Sequence, residues 1–227
     1  MTNSRSAFIP AENRLISLLL LIPVFLFSTH SHAQVFSADK IRMYWKDSSG
    51  VPFMTFERLR KEHPEAKFII NAGHFTHDFK PDGLYIENGQ QLSPVKEILN
   101  PKINLETMPM GVFYISPQGA FIKPLSGKFT QKGVSFATQS SPMLVINGRV
   151  NPALPRGRHR LRSGVGILPD GKVYFALLDM ELRLFARHFL DKGCTQALCL
   201  NGEVSDIWSE GQSRKKYSRF GPMIVVE

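Results

Sequence analysis

Cysteine is scarce in this chain: its 227 residues include two, Cys194 and Cys199, beside 7 histidines. Neither type has the spacing of zinc ligands, so no metal site is expected. The dinucleotide fingerprint and the Walker phosphate loop are missing. No glycine-flanked serine forms a nucleophile elbow, which removes the commonest serine-hydrolase architecture. No cofactor is expected. Nothing repeats internally, no tract is of low complexity, and no linker interrupts the chain. Acidic residues are the minority of the charges, 19 against 28 basic. An apolar run long enough to span a membrane, about 20 residues, is lacking as well.

The most apolar stretch, residues 15–27, follows Arg5 and Arg14, contains Pro23, and leads to Ser31 and Ala33. A basic start, a short apolar segment and small residues at the −3 and −1 positions describe a secretory signal peptide. Cleavage is expected after Ala33, giving a periplasmic or secreted protein with no stable membrane anchor. No cysteine follows the apolar segment, so lipoprotein processing is not expected. Residues 34–227 suit one domain. That mature segment keeps 26 basic and 18 acidic residues. Outside the cytoplasm, such a balance points to phosphorylated or acidic envelope glycans as partners and not to nucleic acid. Export permits a disulfide, but Cys199 falls inside a strand pattern, which favours two buried thiols packed as small hydrophobes.

What the chain does contain is a series of short apolar strands. They are expected at residues 67–71, 84–87, 112–116, 120–123, 134–138, 143–146, 164–168, 173–178, 197–200 and 222–226. Pro117-Gln118-Gly119, Asn147-Gly148 and Pro169-Asp170-Gly171 signal hairpin turns. One helix is expected over 53–63, ending before Pro64. A second carries Leu182, Phe185, Ala186, Phe189 and Leu190 at helical spacing and is stopped by Gly193. Hairpins outnumber strand–helix alternations. The expected fold is therefore α+β: one domain with a mixed, largely antiparallel sheet and a few packed helices.

Two of these strands run straight into an Asn/Gly turn. One reads Phe68-Ile69-Ile70-Asn71-Ala72-Gly73-His74-Phe75. The other reads Ala197-Leu198-Cys199-Leu200-Asn201-Gly202-Glu203-Val204-Ser205-Asp206. Continuous apolar runs suit strands buried on both faces. Asn and Gly are ordinary turn residues, but short polar groups on the end of a rigid strand are also how such folds build sites. Other polar clusters sit nearby in the sequence: His74, His77, Asp78 and Asp82; Thr138-Gln139-Ser140-Ser141; and Arg162-Ser163-Gly164. His74, His77 and Asp78 look superficially like metal ligands, yet no helix aligns them. Of two basic runs, Arg214-Lys215-Lys216-Tyr217-Ser218-Arg219 is expected to be a solvated loop. The other, Arg156-Gly157-Arg158-His159-Arg160-Leu161-Arg162, feeds an apolar strand, so Arg162 has a positional reason to matter.

Several motifs occur in a distinctive order: Asn71-Ala72-Gly73, Gly83-Leu84-Tyr85-Ile86-Glu87-Asn88-Gly89, Gly111-Val112-Phe113-Tyr114, Ala137-Thr138-Gln139-Ser140 with Pro142-Met143-Leu144, Arg162 with Gly164-Val165-Gly166, and Gly221-Pro222-Met223-Ile224. Together they resemble the phosphodiester glycosidase domain family, which includes the mammalian enzyme that uncovers mannose 6-phosphate. The chain is similar to that family's small, exported bacterial branch. The resemblance covers nearly all of residues 34–227. It implies an α+β fold and hydrolysis of a sugar joined through its anomeric carbon to phosphate, possible substrates including an N-acetylglucosamine-1-phosphodiester.

The chemistry then assigns roles. Sugar–phosphodiester cleavage passes through an oxocarbenium-like state helped by carboxylates. The phosphate monoester is a good leaving group whose charge a bidentate Arg stabilises, and Arg162 is the candidate. Asn71, Gly73 and His74 on one turn, and Gly202 on the other, would line the substrate pocket. Thr138, Ser140 and Ser141 would add hydrogen bonds. The catalytic carboxylate is expected to be Asp206, Glu203 or Asp82, in that order. Where the resemblance leads to an expected Leu-Asp-Gly, the sequence has Leu200-Asn201-Gly202, and an amide cannot accept the proton a carboxylate would. Asp82, within Lys80-Pro81-Asp82-Gly83, also stands where a small apolar residue is expected. Two alternatives follow: an exported sugar-1-phosphodiester hydrolase, or a non-catalytic periplasmic protein that binds phosphorylated glycans through a degenerate active site.

Overall fold

The computed structural model describes residues 1, 32–96, 109–125, 129–130, 132–211 and 219–227. Contacts gather Ser31–Glu227 into one compact unit, distinct from Met1–His30. In chain order this unit holds β1 (His32–Phe36), β2 (Ile41–Tyr44), α1 (Phe56–Glu62), β3 (Phe68–Asn71), β4 (Tyr85–Glu87), β5 (Gln90–Ser93), β6 (Gly111–Ser116) and β7 (Gly119–Pro124). It continues with β8 (Phe136–Ser140), β9 (Met143–Ile146), β10 (Arg149–Val150), β11 (Arg160–Ile167), β12 (Val173–Met180), α2 (Leu182–Asp191), β13 (Gln196–Asn201), β14 (Ile207–Ser209) and β15 (Met223–Val226).

The expected α+β class holds, but the strands divide into three sheets. Their orders are β1-β12-β11-β13-β9-β10, β14-β3-β15-β2 and β5-β4-β8-β6-β7. Every strand pairing among the described residues is antiparallel. One face of each sheet meets in a common core that includes Phe68 and Ile70 of β3, Phe113 and Ile115 of β6, and Phe175 and Leu177 of β12.

The opposite faces of two sheets are also covered, which explains the unbroken apolar runs. Along β12, Val173, Phe175 and Leu177 enter the shared core, while Tyr174, Ala176 and Leu178 pack under α2 with Phe185 and Phe189. Along β3, Phe68 and Ile70 point inward, and Ile69 packs with Leu59 of α1. Side chains alternate sides with a period of two, so a strand covered on both faces must be apolar at every position. Helices cover the second face here, and the strands remain antiparallel.

Local chemistry sets the element ends. The helix expected over 53–63 is shorter: Thr55 caps α1, its side chain accepting a hydrogen bond from the Arg58 backbone N–H at 3.2 Å. A cap with extended backbone starts the helix after itself, so Phe53 is buried but lies outside it. α2 ends as the glycine predicts. The Gly193 N–H donates to the Leu190 carbonyl and the Cys194 N–H to the Phe189 carbonyl, with Gly193 at φ +87. This left-handed cap satisfies two otherwise orphaned carbonyls. Asn147 (φ 50) and Gly148 (φ 69) form the hairpin turn between β9 and β10. Both cysteines are buried and free.

Candidate active site

The three sheets are bolted together at one end by polar side chains. Asn71, the last residue of β3, is wholly buried. Its Nδ2 donates to Ser163 Oγ of β11 at 2.8 Å, and its Oδ1 accepts from the Asp206 N–H at 3.2 Å. Ser140 Oγ, ending β8, donates to the Leu200 carbonyl of β13 at 2.7 Å. Thr138 Oγ1 accepts from the Gly73 N–H at 3.0 Å. Ser205 Oγ donates to the Asn201 carbonyl at 2.6 Å and lies 3.2 Å from Ser163 Oγ. Buried polar groups are tolerated only when so paired. Here the pairs also join strands from different sheets.

A cavity of about 930 Å³ opens in front of this junction. On one side it is lined by the segment from His74 to Asp82, including Phe75, His77 and Phe79. On the other it is lined by Asn201, Gly202, Glu203 and Val204. Ser141, Cys199 and Leu182 contribute, and Arg156, Arg158, Arg160, Arg162 and Arg219 all open on it. The His74–Asp82 segment is closed on itself: the Asp82 N–H donates to the His74 carbonyl and the Thr76 N–H to the Lys80 carbonyl. Trp45 Nε1 holds it from behind, donating to the Phe79 carbonyl at 2.8 Å. The volume lies within the range of small-molecule sites, roughly 300–1,000 Å³.

The titratable groups differ in what they offer. Burial lowers the His74 imidazole below its ordinary value, so it is neutral near pH 7, with Nε2 3.1 Å from Ser141 Oγ. Burial pushes the Cys199 thiol up to about 12, which removes it as a thiolate nucleophile. Both carboxylate oxygens of Asp82 accept from Lys96 Nζ, at 2.8 and 2.6 Å. Glu203 is exposed to the cavity and has no cationic partner among the described residues. Arg162 Nε donates to the Met180 carbonyl at 3.2 Å, fixing the root of a guanidinium whose Nη1 reaches toward Gly202. A Cβ on Gly202 would sit 2.8 Å from that nitrogen, so the glycine clears room for the cation.

His74, His77 and Asp78 do not gather as metal ligands. Asp78 is drawn to Lys80 and Thr76, which hold its carboxyl down to about 2. Among the described residues, the one group with ligand atoms within 4.8 Å of one another is His63, Glu65 and Glu227.

The profile of the phosphodiester glycosidase family matches residues 64–218. The chain belongs to this family. It is 31% identical over 186 residues to the uncharacterized protein YigE of Escherichia coli strain K12, covering 76% of this chain and 71% of that one. Among solved structures, the catalytic domain of zebrafish N-acetylglucosamine-1-phosphodiester alpha-N-acetylglucosaminidase, auto-inhibited by its pro-peptide, superposes with a TM-score of 0.64. That match has 13% identity and covers 86% of this chain and 82% of the zebrafish one. A hypothetical protein from Synechocystis gives a TM-score of 0.55 at 11% identity, covering 87% of this chain and 59% of its own. At these identities the solved structures speak for the fold.

Within this phosphodiester glycosidase domain, the sequence-derived residues fall into two groups. His74, Asp82, Ser141, Arg162, Asn201, Gly202 and Glu203 share the cavity. Asn71, Gly73, Thr138, Ser140 and Asp206 lie behind its wall and tie the sheets together. Asp206 is buried, and its Oδ1 accepts from the Ile207 N–H at 2.9 Å. Asn201 is 6% exposed, and its Oδ1 is taken by the Glu203 and Val204 N–H groups at 2.8 and 3.0 Å. The strand expected over 164–168 starts earlier, at Arg160, so Arg160 and Arg162 share one face of β11. Of the second basic run, residues 214–218 lie outside the described residues, and Arg219 lines the cavity. Ser163 and Ser205 were missed as linkers. Their signal was a small hydroxyl residue next to Arg162 in β11 and another in the connection that follows Asn201.

Proposed function

We propose that this chain is an exported glycosidase-type hydrolase that cleaves a sugar-1-phosphodiester, such as an N-acetylglucosamine-1-phosphodiester, into free sugar and a phosphate monoester. The observation that carries the reading is a single cavity, on a phosphodiester glycosidase fold, onto which both the Arg162 guanidinium and the exposed Glu203 carboxylate open. In the proposed step a water oxygen bonds to the anomeric carbon as the bond from that carbon to the phosphate oxygen breaks. The electron pair leaves with the phosphate, and Arg162 stabilises the charge there. Glu203 takes the proton of the attacking water. Asp82, already bound by Lys96, is the weaker candidate for that role. Neutral His74 and Ser141 hydrogen-bond sugar hydroxyls or phosphate oxygens. Asn71, Thr138 and Ser140 act by holding the strand ends in place.

Export fits the fold. β1 begins at His32, and cleavage after Ala33 leaves Gln34, Val35 and Phe36 paired with Phe175, Tyr174 and Val173. No helix among the described residues is long and apolar enough to cross a membrane. A second reading, binding without catalysis, is favoured by Asn201, whose amide replaces the acid expected at that turn and already serves as a backbone cap.

One experiment separates the two. Protein recovered from the periplasm, with an intact mass starting at Gln34, is incubated with an N-acetylglucosamine-1-phosphodiester, and free sugar is measured. The hydrolase reading expects release, with a fall of about 100-fold or more in Glu203→Gln. No release by the native chain, with release appearing in Asn201→Asp, would establish the binding reading instead.

A further inference from the structure

The cavity carries more positive charge than one phosphodiester can use. A sugar-1-phosphodiester brings a single negative charge to the bond being broken. Five guanidinium groups open on the cavity, and none is paired with a carboxylate among the described residues. Of the two carboxylates lining it, Asp82 is neutralised by Lys96, leaving Glu203. The five come from two separate stretches of sequence: residues 156–162, where a loop carrying Arg156 and Arg158 runs into the strand carrying Arg160 and Arg162, and Arg219 just before β15. A merely solvated basic loop would not bring distant arginines to one mouth against their mutual repulsion.

Their burial differs. On β11, Leu161 packs against the core while Arg160 and Arg162 point the other way. Side chains two residues apart on a strand are spaced by about 7 Å. Arg162 is half-buried beside Gly202, whereas Arg160, Arg158 and Arg156, successively earlier in the chain, are exposed. The four therefore share one cavity, Arg162 the most buried of them, and each is a planar bidentate donor that suits a phosphate.

We propose that the substrate is polyanionic: beyond the phosphodiester that is cleaved, its leaving group carries further phosphates that lie along Arg160, Arg158 and Arg156. This rests on the hydrolase reading for the position of the cleaved bond. Arg162 holds the phosphate that departs, and the outer arginines select leaving groups that continue as a phosphate-bearing chain. A cleft lined by one sign of charge enriches oppositely charged ligands by about 10- to 1,000-fold at low ionic strength, and the advantage fades with salt.

The test uses three N-acetylglucosamine-1-phosphodiesters whose leaving group is methyl phosphate, glycerol phosphate bearing one further phosphate, or a glycerol phosphate dimer bearing two. The native protein and the Arg156→Gln/Arg158→Gln double variant are compared at low and high salt, and melting temperature verifies that the variant is folded. The expected result is a kcat/KM about tenfold or more higher for the most charged substrate than for the methyl one. That ratio should collapse toward one in the variant and in high salt. Equal kcat/KM for all three substrates, or a ratio unchanged in the variant, overturns the proposal. Direct binding of the same compounds distinguishes it from the hydrolase reading. If no sugar is released but affinity rises with each phosphate and the rise is lost in the variant, the charge reading stands and hydrolysis falls. If affinity is also flat, both fall.

Discussion

Arg162→Gln is expected to lower kcat/KM for a sugar-1-phosphodiester by about 100- to 1,000-fold, the usual cost of removing a preorganised donor to developing negative charge. The same change removes one neutral-acceptor bond, from Nε to the Met180 carbonyl. That bond is worth about 1 kcal/mol, or roughly 2–4 °C in Tm for a chain of this size. Activity should therefore fall far more than stability. Arg162→Lys keeps the charge but loses the fork that grips two phosphate oxygens, so it should recover only part of the loss. Gly202→Ala provides an independent check on the same group. Its Cβ would press on Arg162 Nη1 at 2.8 Å, and a flexible guanidinium yields where backbone would not. The variant should melt close to the native protein while losing activity. If Arg162→Gln retains native kcat/KM, the phosphate is held elsewhere.

Gly73→Ala is expected to cost about 3 kcal/mol or more, at or beyond the upper end of overpacking effects, lowering Tm by roughly 6–12 °C. A Cβ at this position would overlap the Gln139 carbonyl oxygen and lie 2.8 Å from Thr138 Oγ1. Both neighbours belong to β8, which is fixed on one side by Tyr85↔Thr138 and on the other by Val112↔Gln139. Neither side can retreat without breaking a ladder. Gly73 is thus required for close backbone approach and not for a left-handed turn. Gly157→Ala is the matching control, because nothing lies within 4 Å of its added carbon. Thermal denaturation of the two variants reads the difference, and a native Tm for Gly73→Ala would contradict this packing.

The Gly73 contact also explains which parts of the molecule were legible in the sequence. Apolar runs and turn residues located β3, β6, β9, β12 and β13 well, because burial on both faces leaves an unbroken signal. β5, Gln90-Gln91-Leu92-Ser93, is largely exposed at a sheet edge and has no such signal. β2 alternates buried Ile41 and Met43 with half-buried Arg42 and Tyr44, the alternation of a strand covered on one face, but at four residues it is a short signal. The candidate site was visible in the sequence as a set of strand ends. Which way each side chain faces was not, since that depends on how three sheets meet. Asn71, Thr138 and Ser140 therefore read as substrate contacts yet serve as bonds between sheets. Asp206 ranked first among the acids, but it follows Ser205 into the buried network, while Glu203, three residues earlier, is left at the cavity. The arginines earned their place differently: strand β11 starts inside the basic run, and alternation puts Arg160 and Arg162 on the cavity side.

The central claim is that the bond between the anomeric carbon and the phosphate oxygen breaks, with Arg162 on the departing phosphate. Hydrolysis of an N-acetylglucosamine-1-phosphodiester in water enriched in oxygen-18, read by mass spectrometry of the phosphate product, tests it most directly. Attack of water at carbon predicts a phosphate monoester without the heavy oxygen. A phosphate product carrying one heavy oxygen would mean attack at phosphorus, and would contradict the account.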